Sequence, residues 1–425
     1  MAKFTFSGKD FNLALQIIVW LRLKSPYQFM FLYSGNAKNS PSPHNKKLLL
    51  GVAFNPKKQI NKLNELNNFA NYKYLLGVLS YDIKNSFEKL NSENEEIFKT
   101  DDISFFEPDF FIELDAFGVL TTNNKVLFNE IQSSNQNDQA QYNSKSNIDF
   151  TPDCSDNEYL KTIASIKQEI INGNVYELNY CRNYSGKSAI DPLSYFENSL
   201  YNNPTPYACI YKKNHQFAVS NSMERFLVKS GNKLTSQPIK GTLKNSGTNL
   251  LAEQHELQSS EKDCAENLMI VDLVRNDLSK CSKTNSVKVD ELYGIYSYES
   301  VHQMISTISS IVEDSTSISE IIMSLFPMGS MTGAPKLSAM KLIEKFENFR
   351  RGLFSGSMGY IDPKGNFDFN VVIRTVLYNA KTKEINIPVG SAITIDSDAQ
   401  AELEECHVKI DKIKKMVSQS QINLQ

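Results

Sequence analysis

An α+β fold built on antiparallel sheets is the class this sequence predicts, and three patterns carry the prediction. Residues 175–184, 207–211, 216–220 and 226–230 are short β-prone stretches separated by turn residues. Residues 353–361 and 367–378 alternate around the turn Asp362-Pro363-Lys364-Gly365, as the arms of a hairpin do. Helix-period segments are interleaved with these strands, and the hairpin-type connections argue against a purely parallel sheet.

The elements follow in order. Residues 74–80 read as a strand among short mixed apolar runs. Residues 121–147 are rich in Asn, Gln and Ser with few apolar anchors, the composition of a solvated loop or linker, and a boundary is expected there. Ser155 with Glu158 forms a capping-box signature. Leu160, Ile163, Ile166 and Ile170 follow at helical spacing and Gly173 stops the run. Residues 212–215 suit a hairpin tip, residues 261–274 a helix, and Ile318–Leu325 another that ends at Pro327. Pro335 suits a first helical position before Lys336–Phe346, and residues 399–416 close the chain as a helix.

Bulk properties exclude several function classes. At 425 residues the chain can bury a sizeable core, and a net charge of -3 gives no basic face for nucleic acid. No apolar run approaches the roughly 20 residues of a membrane span, and the start lacks a secretory signal pattern. The six cysteines are scattered without C-x-x-C spacing, so reduced thiols and a cytoplasmic location are expected. His302 and His407 have no metal-like partners at short spacing and read as structural or exposed. Phe105, Phe106, Phe110 and Phe111 read as core or interface.

Three segments could carry chemistry. Lys262 and Glu266 share one helical face, as do Glu402, Glu405 and Lys409 on the last helix. Such carboxylates suit a hard, oxygen-preferring cation, and the same spacing serves a solvated salt-bridge face. The small-residue loop Gly329-Ser330-Met331-Thr332-Gly333-Ala334-Pro335-Lys336 opens a helix, where backbone N–H groups favour an anion; an ordinary tight turn has the same composition. In Pro238-Ile239-Lys240-Gly241-Thr242, a buried Lys240 could lose its proton and become a nucleophile, whereas most lysines are simply solvated.

Taken together, these segments resemble the chorismate-utilising enzymes, a family that includes the large subunits of anthranilate synthase and aminodeoxychorismate synthase. The pieces appear in the family's order over about the last 260 residues: SNSMERF at 220–226, PIKGT at 238–242, AENLMIVDLVRNDL at 265–278 and FPMGSMTGAPKLSAM at 326–340. RRGLFSGSMGYI at 350–361, VVIRT at 371–375 and GSAITIDSD at 390–398 complete it, with Glu402, Glu405 and Lys409. The N-terminal part is similar chiefly through GVLSYDI at 77–83.

The resemblance implies a layered body of two large antiparallel sheets with outer helices. Residues 1–120 would form an N-terminal region, 121–150 a polar loop or linker and 151–420 the chorismate-binding catalytic region. It implies Mg²⁺ on Glu266 and Glu405 with Glu402 alongside, and substrate contacts at Arg374, Lys409, Ser330, Thr332, Gly333, Gly390 and Ser391. Lys240 at the centre of PI-x-GT favours the aminodeoxychorismate synthases, with anthranilate synthase component I as the alternative. The water-adding relatives use a lysine base at the position aligned with Glu177. In the implied reaction Lys240 attacks C2 of chorismate, Glu224 protonates the departing 4-hydroxyl, and ammonia then enters at C4. No cysteine sits in a nucleophile-elbow context, so the nitrogen is expected from a partner glutamine amidotransferase subunit or from free ammonia. Met223, Asp263, Gln303, Ser391 and Ala392 depart from the family's usual residues.

Overall fold

Strands buried on both faces organise the molecule. Along Gln28–Tyr33, the side chains of Phe29, Phe31 and Tyr33 enter one core and Met30 the other. Lys46–Ala53 repeats this, with Leu48, Leu50 and Val52 set against Leu49. A two-residue alternation with apolar groups on both sides is what a central strand needs when a layer lies above and below it. The computed structural model describes residues 1–6, 8–34, 46–55, 58–134, 148–298 and 301–422.

Two large antiparallel sheets result, as expected from the sequence. Among the described residues the first has 12 strands and the second 10. The first runs from Ala2–Thr5 at one edge through Gln28–Tyr33, Tyr207–Lys213, Gln216–Ser222, Thr375–Asn379 and Glu384–Ile393 to Glu177–Lys187. The second places Ile239–Lys244 beside Val301–Ile311, followed by Lys233–Gln237, Arg225–Ser230, Phe367–Asn370, Ser357–Ile361 and Leu75–Leu79. One core lies between the sheets, joining Met30, Leu49 and Leu377 to Leu76, Leu227 and Phe369. The approach is close at Gly51, where a Cβ would meet Leu76 Cδ1 at 2.7 Å. The other core lies between the first sheet and the helices Asp10–Lys24, Asp156–Ile171, Pro192–Asn202, Lys336–Phe346 and Ala399–Ser418. Glu261–Ser279 and Ile318–Leu325 contribute Ile270, Val274, Ile321 and Leu325 to the between-sheet core.

Several sequence expectations hold in detail. The capping box forms: Glu158 N–H donates to Ser155 Oγ at 3.3 Å and Ser155 N–H to Glu158 Oε2 at 2.8 Å. The hairpin of Tyr207–Lys213 and Gln216–Ser222 turns at Asn214, where φ is 56°. All six cysteines are unpaired, and the four phenylalanines at 105, 106, 110 and 111 are buried. His302 is buried between Ser297 and Glu253, and His407 lies 3.4 Å from Asp156.

Others need correction. Residues 119–122 form a strand and Lys125–Gln132 a helix, where composition predicts a loop. Asn124 caps that helix through N–H groups of Val126 and Leu127, and Phe128 and Ile131 suffice to anchor it. Residues 135–147 of the polar stretch lie outside the described residues. Both cores draw on residues before and after it, such as Leu76 with Phe226 and Phe31 with Tyr180. Residues 353–356 form turns rather than strand, with Ser355 at φ 61°, and Pro335 caps its helix from one position before the first turn. The helix expected at 261–274 runs to Ser279, and buried Asp277 and Leu278 lie in the added turn. Among the described residues no helix is long and apolar enough to cross a membrane.

Candidate active site

A buried strand supplies the first polar groups. Residues 177–184 are all buried, with Leu178 and Tyr180 packed under the helices and Cys181 in the between-sheet core. By alternation, Glu177 and Asn179 share the face of Cys181 and look toward the second sheet. There Lys240 of Ile239–Lys244 donates through Nζ to Glu177 Oε1 at 2.5 Å, joining the two sheets. Glu177 Oε2 is buried without a hydrogen-bond partner among the described residues. Burial by itself would depress the Lys240 ammonium, but the adjoining Glu177 carboxylate outweighs it and raises the pKa.

Two chain crossings bring the next pair. The chain passes from the first sheet to the second between Gln216–Ser222 and Arg225–Ser230, and Glu224 sits in the passage. It returns between Phe367–Asn370 and Thr375–Asn379, and Arg374 sits there in a left-handed conformation with φ 52°. The crossings are tied together: Val371 N–H donates to Glu224 O at 3.1 Å and Asn221 N–H to Arg374 O at 3.2 Å. Glu224 is buried, its pKa pushed up to about 7 by desolvation, with the Ser330 hydroxyl and Lys240 pulling the other way. The Arg374 guanidinium makes no hydrogen bond or ion pair among the described residues. Burial lowers its pKa, offset in part by Glu405.

The acidic helices meet through a chain of alternating charges. Lys240 acts on Glu266, Glu266 pairs loosely with Lys262 at 3.9 Å, and Lys262 acts on Glu405. Glu405 in turn holds Lys409 Nζ at 2.6 Å and faces Arg374. Burial raises Glu266 to about 6, with Lys240 and Lys262 compensating only in part. Among the described residues no three His, Cys, Asp or Glu side chains converge as a ready-made metal cage. Glu266, under-compensated, and Glu405 offer carboxylate oxygens of the kind suited to Mg²⁺, which takes few protein carboxylates and fills its shell with water and substrate oxygens. Glu402 lies buried one turn before Glu405.

The small-residue loop is tied down on every side. Gly333–Ala334 pairs with Glu177–Leu178, and a Cβ on Gly333 (φ 144°) would meet Glu177 O at 2.1 Å. Thr332 Oγ1 donates to Met328 O at 3.0 Å, and the Ser330 hydroxyl donates to Glu224 Oε1 at 2.6 Å. Lys336, at the start of the following helix, pairs with Asp277 and donates to Leu325 O. Gly390 O accepts from Lys409 Nζ at 2.7 Å. Ser391 stands opposite Tyr180 with its Oγ buried near Tyr159.

Lys240, Glu224, Ser330, Glu266, Glu405, Arg374 and Lys409 are therefore brought into one connected region, while Thr332 and Gly333 fold the loop. Sequence reasoning named Glu177 only as the position of a lysine base in the water-adding relatives, and did not single out Asn179 or Arg351. Glu177 holds Lys240, and Asn179 Nδ2 donates to Ser330 O at 2.7 Å. Buried Arg351 bridges Asn179 O at 2.8 Å and Met331 O at 2.6 Å while paired with Glu347. Polar residues at 177 and 179, alternating with Leu178 and Tyr180, were the available signal. Met223 and Gln303, both departures from the family pattern, touch: Gln303 Nε2 lies 3.3 Å from Met223 Sδ.

The family model for chorismate binding enzyme matches residues 22–415. Aminodeoxychorismate synthase of Arabidopsis thaliana is 40% identical over 274 residues, 63% of this chain and 29% of that protein. The Streptomyces griseus aminodeoxychorismate synthase is 36% identical over 59% of this chain and 35% of its own length, so the chain spans only about a third of these two relatives. Component 1 of the Escherichia coli enzyme is 29% identical over 80% of this chain and 76% of its own length. Among solved structures, anthranilate synthase component I from Streptococcus pneumoniae superposes with a TM-score of 0.75 at 21% identity, covering 92% of each chain. The menaquinone-specific isochorismate synthase of Escherichia coli gives 0.79 at 15% identity over 98% of this chain and 94% of that one. With a family match across most of its length and the fold of these structures, the chain belongs to the chorismate binding enzymes.

Proposed function

We propose that the chain is the aminating component of an aminodeoxychorismate synthase, replacing the 4-hydroxyl of chorismate with an amino group and so supplying 4-aminobenzoate and folate synthesis. One observation carries the reading. The lysine of PIKGT lies between the sheets with its Nζ in a buried ion pair, on the side of the site where Glu224 holds a proton near neutrality. Resemblance in sequence to proteins named aminodeoxychorismate synthase supports it.

In this mechanism Arg374, whose guanidinium makes no hydrogen bond or ion pair among the described residues, pairs with a carboxylate of chorismate, and Lys409 adds charge beside it. Glu266 and Glu405, with Glu402 nearby, would hold Mg²⁺, which when bound supplies positive charge to the substrate carboxylate. Lys240 passes its proton to the paired Glu177 carboxylate and attacks C2 as the free amine. The bond from C4 to oxygen breaks and Glu224 protonates the leaving hydroxyl, giving water. Ammonia then bonds to C4, the lysine leaves C2 as the free amine, and Glu224 regains a proton from the new ammonium group. The ammonia is supplied by a partner glutamine amidotransferase or from solution, and unpaired cysteines suit a cytoplasmic setting.

The test is product identity. The purified chain is incubated with chorismate, Mg²⁺ and ammonium, with and without an aminodeoxychorismate lyase, and the products are separated by mass spectrometry. Accumulation of 4-amino-4-deoxychorismate, converted to 4-aminobenzoate only when the lyase is present, is expected. Direct formation of 2-aminobenzoate would make the chain an anthranilate synthase component.

A further inference from the structure

The small-residue loop holds Ser330 in a way that a substrate-binding role does not account for. Its hydroxyl has one proton to give, and that proton goes to Glu224 Oε1 at 2.6 Å, with both side chains buried. The loop cannot readily drift from that contact. Asn179 fixes it through Nδ2 to Ser330 O (2.7 Å) and through its N–H to Thr332 O (2.8 Å). Arg351 fixes Met331 O and, through Asn179 O, the strand itself. On the other side the Glu224 backbone is held by Val371 N–H and by the Ser222 hydroxyl, which donates to Glu224 O at 3.2 Å.

We infer that Ser330 is a positioning residue for the Glu224 carboxyl: by pinning Oε1 it leaves Oε2 to present the proton to the departing hydroxyl, and it makes no essential contact with chorismate. This inference rests on the aminodeoxychorismate reading only for the name of the leaving group. A donor to the carboxylate form also favours that form, so the same hydroxyl keeps the acid from becoming too weak to give its proton up.

The other charged groups facing Glu224 are accounted for. Lys240, on the strand Ile239–Lys244, is paired with Glu177. Arg225 is committed to Asp368 and Gln237. Asp277, which lines the same small cavity as Glu224 and Ser330, is matched by Lys280 and Lys336. Beside the Ile239 backbone N–H, Ser330 is thus the neutral side-chain donor to Glu224, and the group whose removal changes the acid without removing a charge.

The experiment compares the full chain with Ser330→Ala and Ser330→Thr from pH 6 to 9, at saturating Mg²⁺ and a constant concentration of free ammonia, varying chorismate. For alanine, kcat is expected to fall about tenfold while KM for chorismate stays within about twofold, and the basic limb of kcat moves upward by about one pH unit. Threonine, which keeps the hydroxyl, restores the limb. A tenfold rise in KM with the limb unmoved would make Ser330 a substrate contact and overturn the inference, as would an alanine enzyme unchanged in kcat and limb or a threonine enzyme with the alanine profile. Product mass is read in the same reactions, so formation of 2-aminobenzoate would sink the proposed function while the limb shift still decided the role of Ser330.

Discussion

Replacing Lys240 by methionine separates what the lysine does for folding from what it does for chemistry. Its partner Glu177 is 1% exposed and already has one oxygen without a hydrogen bond, so removal of the ammonium leaves a buried carboxylate with no compensating group. Breaking one side of a buried pair costs about 3–5 kcal/mol. Urea unfolding at pH 7 reads this loss directly. Adding Glu177→Gln removes the orphaned charge, and most of the lost stability should return at pH 7. Turnover of chorismate should stay at background in both variants. A Lys240→Met enzyme as stable as the wild type at pH 7 would refute the ion-pair argument, and one that still aminates chorismate would refute the nucleophile.

Further outcomes follow from the same geometry. Because burial pushes Glu224 up to about 7 and the protonated form is the active one, kcat should be sustained below that value and fall as pH rises through it; Glu224→Gln should be slow with no such limb. Arg374→Leu should raise KM for chorismate by about 10- to 100-fold, the worth of one charge-assisted hydrogen bond of about 1.5–3 kcal/mol, with the urea midpoint little changed because the guanidinium makes no hydrogen bond or ion pair among the described residues. Glu266→Gln should shift the Mg²⁺ concentration for half-maximal rate upward by about tenfold or more; an unaltered metal dependence would remove Glu266 from the site.

The sequence made the chemistry legible in motifs and the architecture legible in outline. Strand and hairpin patterns pointed to antiparallel sheets, and the capping box at Ser155 predicted its helix because both halves of that device are local. The pairing of distant residues was beyond such signals. Glu177 and Lys240 are 63 positions apart and meet only because their strands belong to different sheets facing one another. Arg374 lies in a run that reads as one long strand. The interruption at Val371–Arg374, where the chain leaves one sheet for the other, leaves no mark in hydropathy. The helix at Lys125–Gln132 was hidden for the opposite reason, since two buried side chains in a polar stretch were enough once the first sheet was there to receive them. Ser330 was visible as part of a small-residue loop, but only the folded chain reveals that its hydroxyl faces Glu224.

The most direct test of Lys240 as the attacking group is the intact mass of the chain after incubation with chorismate and Mg²⁺ in the absence of ammonia. The account predicts a covalent adduct equal to chorismate less one water, mapping to the peptide that contains Lys240, absent from Lys240→Met and discharged when ammonium is added. An unmodified wild-type chain, together with a Lys240→Met enzyme that forms product at the wild-type rate, would contradict it.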